Sequence, residues 1–219
     1  MKDSLATLDN PNLINGRPFY TTQEMAQHVA LVICGEYALP PIQWGRTPFV
    51  LDIGANQGAF TEWVLREFDG CHVQAYEPLP ASAKLFKQNH PTVELHQVAV
   101  SSTPGPVKLY HGANNLGESS LRARAGSTRG TFTEVPTLHP KDLPDCDILK
   151  VDTEGSELDI LTHYQHRPTA ILLEAHSYPD IRALDDLLVD YAIYRRVQNI
   201  NTASVIYIER SKFNPLVLI

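Results

Sequence analysis

Apolar positions recur along this chain in two rhythms, one helical and one extended. In residues 21–39, Met25, Val29, Val32 and Ile33 fall at helical intervals. Thr21 and Glu24 have the spacing of a capping box, and Pro40-Pro41 stops the run. A helix over 21–39 is predicted. It has three open uses: lying over a ligand cleft, making dimer contacts, or covering a sheet. Residues 1–20 are polar and turn-rich, with Asn10-Pro11 and Asn15-Gly16, and read as an arm outside the core. From residue 48 short apolar runs alternate with helical patterns. Residues 49–53 form a strand ending at Gly54, and a helix with Phe60, Val64 and Phe68 on one face follows. A strand over 71–76 ends at Glu77-Pro78, a helix covers 80–89, and a strand covers 93–100. Residues 101–137 break the alternation and read as a β-hairpin excursion, with extended segments at 107–110 and 132–138. Between them, 112–130 is a long polar loop rich in Gly, Ser and Arg. The alternation resumes with a strand over 147–152, a helix over 156–164, a strand over 170–175 and a helix marked by Ile181, Leu184, Leu187 and Leu188. Strands at 191–197 and 204–208 are joined too closely for a parallel crossover, so they pair antiparallel.

Strands separated by helices imply an α/β fold with a mostly parallel sheet covered on both faces. Ligands bind such sheets at the carboxyl ends of the strands. The loops after Asp52, Tyr76, Val100, Asp152 and Ala175 are therefore expected on one rim. The organisation expected is an arm and helix over 1–40, then one domain over 41–219.

A chain of 219 residues suits a single domain that buries its core without disulfide or metal. Cys34, Cys71 and Cys146 are widely spaced with no CxxC, and are expected as buried thiols in a reducing compartment. There is no leader pattern and no apolar stretch of membrane-spanning length, so a cytoplasmic protein with no membrane partner is expected. Eighteen Lys and Arg against 25 Asp and Glu leave a net charge of −7, which argues against a general nucleic-acid partner.

The loop Asp52-Ile53-Gly54-Ala55-Asn56-Gln57-Gly58 opens a helix directly after a strand. Its spacing is G-x-x-x-G, with Asn56 where a dinucleotide fingerprint carries its second glycine, so a pyrophosphate has no obvious seat. No G-K-[ST] follows, which excludes a P-loop. Glu77, at the end of the next strand, can accept both hydroxyls of a ribose. A nucleoside-bearing ligand without pyrophosphate fits, and S-adenosylmethionine meets that description, leaving S-adenosylhomocysteine as product. Asp52 is placed near its amino-acid end and Glu77 at its ribose, with Ala55 and Pro78 beside them.

VLDIGANQG (50–58), YEP (76–78), VAVSS (98–102), ESSL (118–121), LKVDTEGSELDIL (149–161) and LLEAH (172–176) together resemble the FkbM-type methyltransferases. The resemblance implies a class I, Rossmann-like methyltransferase fold. That is a three-layer sandwich on a seven-stranded, mostly parallel sheet with an antiparallel last strand. It also implies methylation of hydroxyl groups of sugars or secondary metabolites, a small hydroxylated acceptor. Its pattern carries over onto Gly54, Asn56, Gly58, Glu77, Ala99, Lys150, Asp152, Glu154 and Glu157. Ala99, with Val98 before it, is placed beside the adenine.

The acceptor must be aligned with the methyl group and lose a proton. Lys150 and Asp152 share one side of their strand, and Glu174 and His176 share one side of theirs. With Glu154 they fall within reach of one rim. His176 is a candidate general base, since its ordinary pKa lies near 6.5. Asp152 could orient the acceptor or take its proton, and Lys150 could hold a carboxylate's pKa down. Glu157 also suits a helix start. A divalent ion on Asp152, Glu154 and His176 is a competing but less favoured use, so no metal ligand is assigned. Ser119, Ser120 and Glu174 are expected at the acceptor, and the 112–130 loop with Glu118 could cap it, with Arg122, Arg124 and Arg129 binding an anionic group. His90, His96 and His139 read as surface or turn residues. The competing functions are a peptide or nitrogen acceptor and a non-catalytic cofactor-binding partner, with a homodimer as a further possibility.

Overall fold

The computed structural model describes residues 12–14, 17–23, 25–111, 119–121 and 131–212. Seven strands form the central sheet. In spatial order these are Tyr191–Gln198 (β12), Ala203–Glu209 (β13), Ala170–Ala175 (β11), Ile148–Val151 (β10), Phe49–Ile53 (β3), His72–Tyr76 (β4) and Glu94–His96 (β5). Neighbouring strands from β5 to β11 run parallel, and β13 runs antiparallel to both β11 and β12. The expected sheet and its antiparallel last strand are both present.

Side-chain alternation assigns each strand residue to one of two cores. Leu51, Ile53, Leu149, Val151, Ile171 and Leu173 pack against Ile160 and Leu161 of Glu157–His163 (α4) and Ile181 and Leu184 of Tyr178–Leu187 (α5). Val50, Ile148, Leu172 and Ile206 pack against Phe60, Trp63 and Val64 of Ala59–Glu67 (α2), together with Val32 and Tyr37. By the same parity Asp52, Lys150 and Glu174 belong to the second face. The polar residues therefore emerge under α2 and the segment before it.

Three expectations need correction. Residues 93–100 are not one strand. After β5 the chain leaves the sheet, and Ala99–Val100 (β6) pairs in parallel with Thr137–Leu138 (β9). The helix over 21–39 is shorter: Ala26–Leu31 (α1) runs into a π-helical turn, Val32–Glu36, kinked at Gly35 with φ +103° and finished before the prolines. Its N-cap is Met25, with no side-chain cap, and Glu24 of the expected capping box lies outside the described residues. Nor is the start of the chain all arm. Asn12–Ile14 (β1) and Arg17–Phe19 (β2) form a hairpin, and Phe19 is buried against Met25, Val29 and Ile33.

The expected hairpin excursion is present as Val107–Tyr110 (β7) paired antiparallel with Phe132–Val135 (β8). Leu109 and Val135 pack on Leu79 and Ala99. Cys146 is buried, Cys71 is half-buried, and Cys34 lies on the surface, against expectation. Among the described residues no helix is long and apolar enough to cross a membrane.

Candidate active site

The loops at the carboxyl ends of β3, β4 and β10 surround a cleft of about 930 Å³, counting the solvent at its mouth. Its wall includes Gly54, Ala55, Asn56, Glu77, Pro78, Val98, Ala99, Ser119, Lys150, Asp152 and Glu154. Most of the residues expected at the ligand therefore do meet in one place. Part of the remaining wall comes from a source that the motifs did not signal. Met25, His28, Val29, Val32 and Tyr37 project from the N-terminal segment. Of the three uses open to that helix, the structure shows two: it lies over the cleft, and Val32 also packs against the sheet. Its helical apolar spacing was legible, but not the face it covers.

Two glycines shape the cofactor loop. Gly54 has φ +77°, and a Cβ there would lie 1.7 Å from the carbonyl oxygen of Asp152. Only glycine lets the loops after β3 and β10 approach this closely. Gly58 has φ +89°, and a Cβ would strike the ring of His90 at 2.5 Å. Gly58 is thus packed behind the wall rather than on it. His90 is no surface residue: it is buried, its Nε2 sits 2.9 Å from the Gly58 carbonyl oxygen, and burial lowers its pKa.

Glu77 is 7% exposed at the end of β4. Its Oε2 accepts the N–H of Asn56 at 2.8 Å and its Oε1 accepts that of Leu79 at 2.8 Å. Burial raises its pKa to about 7, against the pull of those two N–H groups and Lys150. Each oxygen keeps a lone pair for a ribose hydroxyl. Asp52 differs from expectation. It is wholly buried beneath the loop and not on the cleft wall. Its Oδ2 accepts from Thr61 at 2.7 Å, and its Oδ1 lies 3.3 Å from Lys150 Nζ. Lys150 also donates to the Gly54 carbonyl at 2.6 Å and lies 3.9 Å from Asp152 Oδ2. Burial works against the ammonium, but the charges of Asp52 and Asp152 outweigh it and raise its pKa. Lys150 therefore ties the cofactor loop to Asp152 as a fixed cation.

At the other rim, His176 is enclosed by carboxylates. Its Nδ1 lies 3.1 Å from Glu157 Oε1, and its Nε2 lies 3.3 Å from Glu154, 3.9 Å from Asp152 and 4.0 Å from Glu174. Burial lowers the imidazole's pKa, but the hydrogen bonds to Glu154 and Glu157 and the charges of Glu157 and Asp152 outweigh it and raise the pKa to about 11. These surroundings favour the imidazolium form of His176. A general base needs an unprotonated nitrogen, so they do not favour that role for it. The carboxylates facing it suit that role better. Burial raises Asp152 above its ordinary value, although Lys150 and His176 pull it back. Lys150 thus moderates Asp152 without holding it low. Burial and the charge of Asp152 raise Glu174 to about 7. Glu174 and His176 stand behind the wall that Asp152 and Glu154 form.

Glu157 does more than start a helix. It is fully buried, and its Oε1 accepts from Thr153 N, Thr153 Oγ1 and Gly155 N at 2.9–3.1 Å while facing His176. Burial raises its pKa, but His176 and those N–H groups overcome this and lower it. It holds the loop in which Glu154 takes a left-handed φ of +58°. Ser120 donates to the Glu154 carbonyl at 2.6 Å and so anchors the loop rather than facing a ligand. Ser119 is on the wall, and its Oγ is buried without a partner among the described residues. Glu118 and the three arginines lie outside the described residues.

The polar set suits a sulfonium nucleoside. It has a carboxylate suited to a ribose at Glu77, an apolar wall at Val98 and Ala99, and buried polar atoms on Asn56 and Ser119 that lack a partner among the described residues. For a divalent ion, Asp152, Glu174 and His176 offer ligand atoms within 4.8 Å of one another. An ion on Nε2 would have to displace its proton.

Residues 52–199, more than half of the chain, match the family described as the methyltransferase FkbM domain. The chain is 25% identical over 199 residues to Methyltransferase sdnD of Sordaria araneosa, covering 72% of this chain and 77% of that one. It is 27% identical over 143 residues to Methyltransferase 1 of Beauveria bassiana, covering 52% and 57% respectively. Among solved structures, the Methanococcus jannaschii fibrillarin pre-rRNA processing protein superposes with a TM-score of 0.50 at 12% identity. The superposition covers 87% of this chain and 78% of that one, and the likeness is one of fold.

Proposed function

The chain belongs to the FkbM methyltransferase family, and on that premise we propose that it methylates a hydroxyl group of a small molecule. Asp152 carries the reading. Its carboxylate is half-buried on the cleft wall and held above its ordinary pKa, and its backbone carbonyl packs against the loop at Gly54. S-adenosylmethionine supplies, when bound, a methyl group activated by its sulfonium. Asp152 would take the proton of the acceptor hydroxyl whose oxygen receives that methyl group. Glu174 has an oxygen within 4.8 Å of Asp152 and a pKa near 7, so it can share that proton. His176, as imidazolium, offsets the charge that gathers on this rim. Lys150 keeps Asp152 aligned with the cofactor loop. The chain's net charge of −7 favours a small acceptor over a nucleic acid.

The test is methyl transfer from methyl-labelled S-adenosylmethionine to a panel of hydroxylated and amino-bearing small molecules, with the product bond identified. A methyl ether is expected. Asp152→Asn should slow transfer about 10²–10⁴-fold, the usual worth of a general base, and leave S-adenosylhomocysteine affinity within about tenfold. Products methylated only on nitrogen would overturn the hydroxyl acceptor. Wild-type rates in Asp152→Asn would remove Asp152 from the chemistry.

A further inference from the structure

Gln57 is the cleft residue whose environment is least explained by the fold. It is 1% exposed, and it lies on the cleft wall between Asn56 and α2. Its backbone carbonyl accepts from Asn89 Nδ2 at 2.8 Å. Its side-chain amide does not share in this: neither Nε2 nor Oε1 has a hydrogen-bond partner among the described residues. Leaving a buried donor or acceptor unmet destabilises the fold, and an apolar side chain would fill the same space without that cost. A polar group kept at such a cost on a cavity wall is explained if its partner is the ligand.

We propose that the Gln57 side chain binds the amino-acid end of the cofactor, with Nε2 donating to its carboxylate and Oε1 accepting from its ammonium. This rests on the reading of S-adenosylmethionine as the cofactor. An amide presents a donor and an acceptor side by side, and a carboxylate beside an ammonium presents the complementary pair. The ribose hydroxyls are already provided for by Glu77, whose Oε2 holds the N–H of Asn56, one residue before Gln57. Asp52, the acidic residue expected to meet the amino-acid end, is committed to Thr61 and Lys150 below the wall. Another group must therefore meet that end of the cofactor, and Gln57 is uncommitted. Being neutral, it meets a zwitterion without adding charge to a buried loop. The Oδ1 of Asn56, likewise buried and unpartnered, is a second acceptor beside it.

Binding calorimetry on the full chain, read together with thermal unfolding without ligand, tests this. The probes are S-adenosylhomocysteine and 5′-methylthioadenosine, which keeps the nucleoside and thioether but lacks the amino acid. Gln57→Leu should weaken S-adenosylhomocysteine by roughly 10–100-fold, as expected for lost hydrogen bonds to charged groups. It should leave 5′-methylthioadenosine within about twofold. The ligand-free melting temperature should stay level or rise, because the substitution removes an unmet buried amide. Gln57→Met, similar in length, repeats the reading if Gln57→Leu does not fold. Unchanged S-adenosylhomocysteine affinity, or equal losses for both probes, would overturn the proposal. So would a lower ligand-free melting temperature in both variants, since the amide would then be paired within the protein. Wild type that binds neither probe would instead sink the cofactor reading on which the proposal stands.

Discussion

The two halves of the rim handle buried carboxylates in opposite ways. On the cofactor half, Glu77 is answered by backbone N–H groups and Asp52 by a hydroxyl and a lysine. On the half proposed for the acceptor, Asp152, Glu154 and Glu174 lie 3.3–4.0 Å from His176, and Glu157, also facing it, accepts from backbone N–H groups as well. Backbone donors cannot lose a proton, so the N–H groups facing Glu77 persist as pH changes, while Glu77 itself, at about 7, takes a proton near neutrality. Side-chain charges that answer only one another titrate together, so the second arrangement couples structure to protonation. A ligand cradle calls for the first property and proton transfer for the second.

The sharpest way to break the contrast is at the point where the halves touch. Gly54→Ala would force a left-handed φ on alanine and drive its Cβ into the Asp152 carbonyl. We expect a cost of about 3 kcal/mol or more. At roughly 2–4 °C per kcal/mol for a chain of this size, that lowers the melting temperature by about 6–12 °C. A variant that melts with the wild type would mean that the two loops do not meet.

A smaller effect separates the halves by pH. The folded pKa of His176, about 11, lies above its ordinary 6.5. The folded state then holds a proton that the unfolded state releases as pH rises. The stability from this group is complete below about pH 6.5 and is lost progressively as pH rises to about 11. Denaturant melts at pH 6, 8 and 10 should show a steeper decline for wild type than for His176→Gln. Parallel declines would place no cation at this position.

The smallest effect concerns metal. Because His176 already supplies positive charge among the carboxylates, excess chelator should leave methyl transfer unchanged. Activity lost to chelator and restored by Mg²⁺ would place an ion among Asp152, Glu174 and His176.

Much of this architecture was legible before any coordinates. The runs at 49–53, 80–89 and 170–175 match Phe49–Ile53, Pro80–Asn89 and Ala170–Ala175 to the residue. Each is bounded by a local signal such as Gly54, Pro80 or a change of period. Strand parity likewise put Lys150 beside Asp152 and Glu174 beside His176. The failures share a cause. The run at 93–100 splits because Ala99 and Val100 pair with Thr137 and Leu138, far along the chain. His90 is buried because Gly58 leaves space for its ring. The helix after Met25 covers the cleft because its apolar face meets Phe60 and Ala59 there.

By itself the sequence determined the order of strands and helices, the parallel sheet and the glycine loop, because periodicity and turn chemistry act over a few neighbouring residues. It also marked most of the residues that gather at the rim, since strand ends are local features. Only the tertiary structure decided what each charge does there. The pKa of a buried group depends on which distant segments desolvate it and which charges they bring. Asp52 and Asp152 sit at the ends of adjacent strands and differ little in local sequence. One is sealed under a loop with Thr61 and Lys150, and the other faces the cleft beside a protonated histidine.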